Sequence, residues 1–183
     1  MGDPRCSACN DPGTNDFSWL DQLLFDTHLR IARHGWTCVS VLEHGRTPGW
    51  GYTIGLSETA NHPELAVVGL EHETAVPLLA ELATSVVDGA RFDDLPDGRF
   101  ERRGRPFRVV PVHREQWWTD RFNMWLNYYG DRGEAVPALR ALQVLWPDGD
   151  DRLPGDPEFD RRVRRRQTRL DRAPRGQRRA PTK

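Results

Sequence analysis

Two neighbouring runs, Trp50-Gly51-Tyr52-Thr53-Ile54-Gly55-Leu56 and Glu64-Leu65-Ala66-Val67-Val68-Gly69-Leu70, decide the fold class. The first is rich in aromatic and β-branched residues between glycines and reads as a strand. The second is short and apolar at consecutive positions. Both of its faces need cover, which puts it at the centre of a sheet. Directly after it the apolar period changes from two to 3.6. Ala75, Leu78, Leu79, Leu82, Ala83 and Val86 lie on one side of a helix that ends at Gly89. With Thr74 as N-cap, Pro77 falls in the first turn, where its missing N–H costs nothing.

Upstream, Ser18 and Asp21 resemble a capping box opening a helix, with a stripe of Leu20, Leu23, Leu24 and Ile31 and a stop at Gly35. Trp36–Leu42 alternates as a strand, and His44–Gly49 is a turn. Downstream, Arg99–Arg103 and Phe107–Val112 form a hairpin around Gly104. Trp118, Phe122, Trp125 and Tyr129 mark a helix with an aromatic stripe closed by Gly130, and Leu139–Trp146 is a last strand stopped by Pro147. This order predicts an α+β domain, a mostly antiparallel sheet or partly open barrel packed with about three helices. Residues 1–16 read as an irregular arm, 17–160 as the single domain, and 161–183 as a basic, largely disordered tail, with 173–183 disordered throughout. Arg161–Arg172 has helical charge spacing, but Val163 and Leu170 give it little to bury.

The 183 residues suffice for one core that buries roughly two-thirds of the unfolded surface. Apolar runs such as Leu65–Val68 are far too short to cross a bilayer. Three cysteines argue against a disulfide framework, and Met1–Cys6 has no secretory pattern, so the expected location is cytoplasmic. Charge is uneven: residues 161–183 hold eleven basic residues and one acid. Since the formal net charge is −1, residues 1–160 carry about −11.

Trp50–Leu56, His62-Pro63-Glu64-Leu65 running to Gly69-Leu70, and Ala141-Leu142-Gln143-Val144-Leu145-Trp146-Pro147-Asp148 match one pattern, with His34-Gly35-Trp36 ahead and Asn127–Gly130 between. Over roughly residues 17–160 the chain resembles the bacterial domain-of-unknown-function family 4262. The early Cys6-Ser7-Ala8-Cys9 pair is similar to members with a cysteine-bearing leader. Members often place Trp after the Pro of a Gly-x-x-Pro-Trp segment, where this chain has Leu153-Pro154-Gly155. The resemblance implies an intact family domain and no particular reaction. The Tyr-Thr-Ile-Gly-Leu strand followed by Pro-Glu-Leu is also similar to the opening of flavin-reductase-type split barrels, which makes flavin a possible cofactor.

Several residues carry chemical potential. His62 can act as acid or base near neutral pH with Glu64 orienting it; the plain alternative is a loop entry where His62 bonds backbone groups. Tyr52 and Thr53 point to opposite faces of their strand, so one of them can reach a pocket shared with the 62–64 loop. Gln143 is an amide in an apolar strand, and either fixes a backbone group or lines a cavity. Asp148, with Asp150 and Asp151, either ends a strand or contributes to a cation site. Cys6, Cys9, His34 and Cys38 have the ligand types for tetrahedral zinc.

Two functional expectations follow. One is a small-molecule-binding domain, enzymatic or not, with its site near the second strand, the 62–64 loop and the last strand. The other is a non-catalytic accessory or immunity-like module whose acidic face meets a basic protein. Membranes are not expected partners. Nucleic acid is expected only through weak electrostatic contact with the tail, since an acidic body repels phosphate.

Overall fold

The computed structural model describes residues 18–131 and 140–174; the expected arm at 1–16 and positions 175–183 lie outside them. Chain order is α1 (Trp19–His34), β1 (Thr37–Val41), β2 (Trp50–Ile54), a single turn α2 (Leu56–Thr59), β3 (Glu64–Val68), α3 (His72–Val87), β4 (Arg99–Arg102), β5 (Arg105–Pro111), α4 (Asn123–Asp131), β6 (Ala141–Leu145) and α5 (Arg161–Arg166).

The six strands form an open sheet in the order β1-β2-β3-β6-β5-β4. Four of its five pairings are antiparallel, and β3 pairs β6 in parallel, Leu65 opposite Leu142. The fold is α+β, as the sequence predicts, and the sheet is open. All five residues of β3 are buried, which follows from its central position. One face of the sheet (Leu65, Val67, Val109, Leu142, Val144) meets α3 through Leu78, Leu79 and Leu82. The other face (Tyr52, Ile54, Ala66, Val68, Ala141) meets an aromatic layer of Phe122, Trp125, Tyr128 and Tyr129.

Local signals explain most boundaries. The Ser18–Asp21 capping box is formed in both directions, and Gly35 closes α1 at φ 79°. Leu23, read as part of the buried stripe, is instead 39% exposed. Helix α3 starts one turn earlier than Thr74 implies. The Glu71 carbonyl accepts the N–H groups of Thr74 and Ala75 at 2.9 and 2.8 Å, so Pro77 lies inside the helix. The aromatic helix is shorter than its stripe suggests, because Arg114–Trp118 and Asp120–Phe122 are 3₁₀ turns separated by an extended Thr119. That break shifts the phase: Trp117 is buried and Trp118 is 65% exposed.

The main departure lies at the C-terminal end. The expected tail begins at 161, yet residues 161–174 pack onto the sheet. Leu170 is 1% exposed and Gln167 2%. The Gln143 side chain donates to the Thr168 carbonyl and accepts from the Leu170 N–H, both at 2.7 Å. Gln167 makes a reciprocal pair with the Trp146 backbone at 3.1 and 3.0 Å, and the His113 N–H donates to the Leu170 carbonyl at 2.7 Å. Gly69 permits the approach, since a Cβ there would collide with the Arg166 carbonyl.

Candidate functional site

The six ligand-binding candidates singled out from sequence are all buried, Tyr52 2%, Thr53 0%, His62 0%, Glu64 1%, Gln143 0% and Asp148 3% exposed, whereas the zinc candidate His34 is exposed. Thr53 and Glu64 share a network at the junction of β2, α2 and β3. Glu64 Oε1 accepts from the Tyr129 hydroxyl at 2.6 Å and from the Gly55 and Ser57 N–H groups at 3.0 and 3.1 Å. Its Oε2 accepts from the Thr53 hydroxyl at 2.6 Å, whose oxygen accepts the Leu65 N–H at 2.8 Å. Burial pushes the Glu64 carboxyl above its usual range, against the pull of its Thr53, Tyr129, Ser57 and Gly55 donors. Burial, with the Glu64 charge beside it, likewise raises Tyr129.

His62 does not join this network. The Phe92 N–H donates to Nε2 at 3.0 Å, which leaves the proton on Nδ1, and that group donates to the Pro63 carbonyl at 2.6 Å. Burial lowers the imidazole pKa; the Pro63 bond and Asp93, 3.6 Å away, act in the opposite sense. This is the backbone-bonding alternative.

Tyr52 and Gln143 occupy one cross-strand row with Ala66 between them. Tyr52 packs on Phe122 at 5.2 Å between ring centres, and Gln143 holds the C-terminal segment. Asp148 organises its own turn, accepting from the N–H groups of Asp150, Arg152 and Asp160 at 3.0, 3.0 and 2.9 Å. Burial alone would raise its carboxyl, but those three N–H groups and the Arg152 charge hold it below the usual value. Cys38 is half-buried in β1, and burial raises its thiol despite Arg30 nearby. Cys6 and Cys9 fall outside the described residues. Among the described residues no three His, Cys, Asp or Glu side chains gather to hold a metal ion.

None of the six candidates lines a neighbouring open cleft, which has a volume of about 1020 Å³. Its walls come from Thr47 and Trp50, the 3₁₀ turns around Gln116–Arg121, Pro154–Phe159, and the segment Arg164–Pro174. Among the described residues four arginines line it (Arg121, Arg164, Arg169 and Arg172) with a single carboxylate, Asp120. The Arg121 guanidinium lies over the Trp50 ring at 5.2 Å, while the Trp50 indole N–H donates to the Arg121 carbonyl at 3.0 Å. The Arg121 Nη1 is buried without a hydrogen-bond partner among the described residues, and loss of hydration lowers the pKa of the group. Arginine stays protonated in proteins, so this is a fixed, incompletely satisfied cation. Arg164 lies 5.9 Å over Phe159.

A guanidinium in this state is suited to a phosphate or carboxylate, which takes its N–H groups as a fork. Sequence reasoning misses Arg121 because nothing local marks it. The one available signal is the concentration of arginine after 160, which reads as a solvated tail until its folding onto the sheet is known.

Comparison with known proteins gives a family and no activity. No curated protein and no solved structure matches the chain. Residues 30–160 match the family model described as a domain of unknown function, DUF4262. That span covers all six strands, the helices α2, α3 and α4 and the end of α1, and with them most of the chain. The protein belongs to the DUF4262 family.

Proposed function

We propose that this protein binds a small anionic molecule in the arginine-lined cleft. The reading keeps the small-molecule expectation and moves its location from the β2, 62–64 and β6 region, where Thr53, His62, Glu64 and Gln143 already have hydrogen-bond partners within the fold, to the open concavity beside it. The observation that carries it is Arg121. A half-buried guanidinium with an orphaned donor is costly to the free protein, and an anion in the cleft supplies what it lacks. The three other arginines raise the local positive potential in an otherwise acidic molecule, which concentrates anions there.

Thermal denaturation in low-salt buffer with increasing inorganic phosphate tests this. A ligand that binds only the folded state stabilises it by mass action, by about 2.7 kcal/mol at a hundredfold excess over Kd. Wild type is expected to show a saturable rise in Tm that Arg121→Ala abolishes. An equal rise in both proteins would place the effect elsewhere and refute the reading.

A further inference from the structure

We infer that residues 161–174 form a strap whose docking on the sheet is controlled by the anion in the cleft; this rests on the cleft being the anion site. The walls of the cleft belong to different parts of the chain. Arg121 lies in a 3₁₀ turn of the body, with Asp120 beside it, whereas Arg164, Arg169 and Arg172 belong to the strap. Asp171 answers Arg169, with Nε to Oδ1 at 3.0 Å. If the strap lifts away, Arg121 keeps its orphaned Nη1 and loses the facing wall. An anion held between the walls therefore needs the strap in place. A ligand that binds one of two states shifts the equilibrium towards that state.

The strap is attached in a way that opens locally. Leu170 is its single buried apolar side chain. Three glutamine amides supply further anchors: Gln143 bonds Thr168 and Leu170, Gln167 bonds Trp146, and Gln116 donates to the Arg172 carbonyl at 2.7 Å. Helix α5 has six residues, too few to persist without its contacts. The ion pairs of Arg166 with Glu43 and Glu71 are largely exposed and add little. In β3, by contrast, all five residues are buried. Regions with few buried apolar contacts open at a lower free energy than the core, so the strap opens while the sheet stays folded. An anion bonded to Arg121 and to the strap arginines opposes that opening, and its departure favours it.

Hydrogen–deuterium exchange of the full chain, read residue by residue with and without inorganic phosphate, tests this in wild type and Arg121→Ala. Without phosphate the Leu170 N–H, which donates to Gln143, is expected to exchange at least about tenfold faster than the amides of β3. Phosphate at about a hundredfold excess over its Kd is expected to slow that exchange about a hundredfold in wild type. Arg121→Ala should show no slowing, and the exposed hairpin turn at Arg103 and Gly104 should be unaffected in both proteins. A phosphate-dependent rise in Tm with an unchanged Leu170 rate would leave the anion site in place and refute the strap. Equal slowing in Arg121→Ala would also refute it, because docking would then be independent of the cleft. So would a Leu170 rate no faster than those of β3 in the ligand-free protein, since the strap would then open only with the whole chain. No response of either Tm or exchange to phosphate would remove both readings.

Discussion

Glu64 accepts four hydrogen bonds, none from a cation, and its raised pKa sets the sign of one pH effect. The folded state holds this proton more tightly than the unfolded chain. Stability from this group is therefore fully present below about pH 4.5, its ordinary value, and is lost as pH rises through the folded-state pKa. His62 works in the opposite direction. Its pKa is lowered from 6.5, so the unfolded chain takes up the proton first and stability falls as pH drops below that value. Denaturant titrations across pH are expected to show the high-pH loss diminished in Glu64→Gln and the low-pH loss diminished in His62→Gln. Unchanged slopes in both would contradict these assignments. His62→Ala leaves the Phe92 N–H and Pro63 carbonyl unbonded and is expected to cost about 1–3 kcal/mol. Arg121→Ala should leave the ligand-free protein as stable as wild type or more so, because it removes an orphaned buried donor; site residues often trade stability for binding. That these polar residues sit in apolar surroundings, and so must be constrained, is legible in the sequence. Their partners are not: Tyr129 is 65 residues from Glu64, and Leu170 is 27 from Gln143.

The elements divide by how their stability arises. Those built on local pattern, such as the capping box of α1, the buried run of β3 and the Arg99–Arg102/Arg105–Pro111 hairpin, are readable residue by residue. Segments set by tertiary contacts are not. The 3₁₀ break before α4 moves burial from Trp118 to Trp117 without any proline or glycine to announce it. The segment Arg161–Pro174 reads as solvated because charge dominates its composition, and its anchoring comes from two amide side chains pairing with backbone. Gln143→Ala would leave the Thr168 carbonyl and Leu170 N–H without partners in a buried place, and is expected to cost about 2–4 kcal/mol in chemical denaturation. Leu170→Ala is expected to cost about 2–5 kcal/mol by leaving a cavity against the aromatic layer. Values below about 0.5 kcal/mol for both would mean that the segment contributes nothing to the fold.

Across the whole molecule, charge segregation and fold are two sides of one arrangement. The segment Arg161–Arg172 folds back over an acidic body, and part of its charge is answered there: Arg166 pairs with Glu43 and Glu71. Other arginines stay unanswered and face the cleft. The mapping of arginine protection tests this arrangement most directly. The protein is treated with phenylglyoxal, with and without inorganic phosphate, and modified positions are read by mass spectrometry. Arg121, Arg164 and Arg172 are expected to be protected by the anion, while exposed Arg30 on α1 and Arg99 on β4 react equally with and without it. Uniform protection of all five, or protection of Arg30 and Arg99 alone, would contradict an anion site built by the folded C-terminal segment.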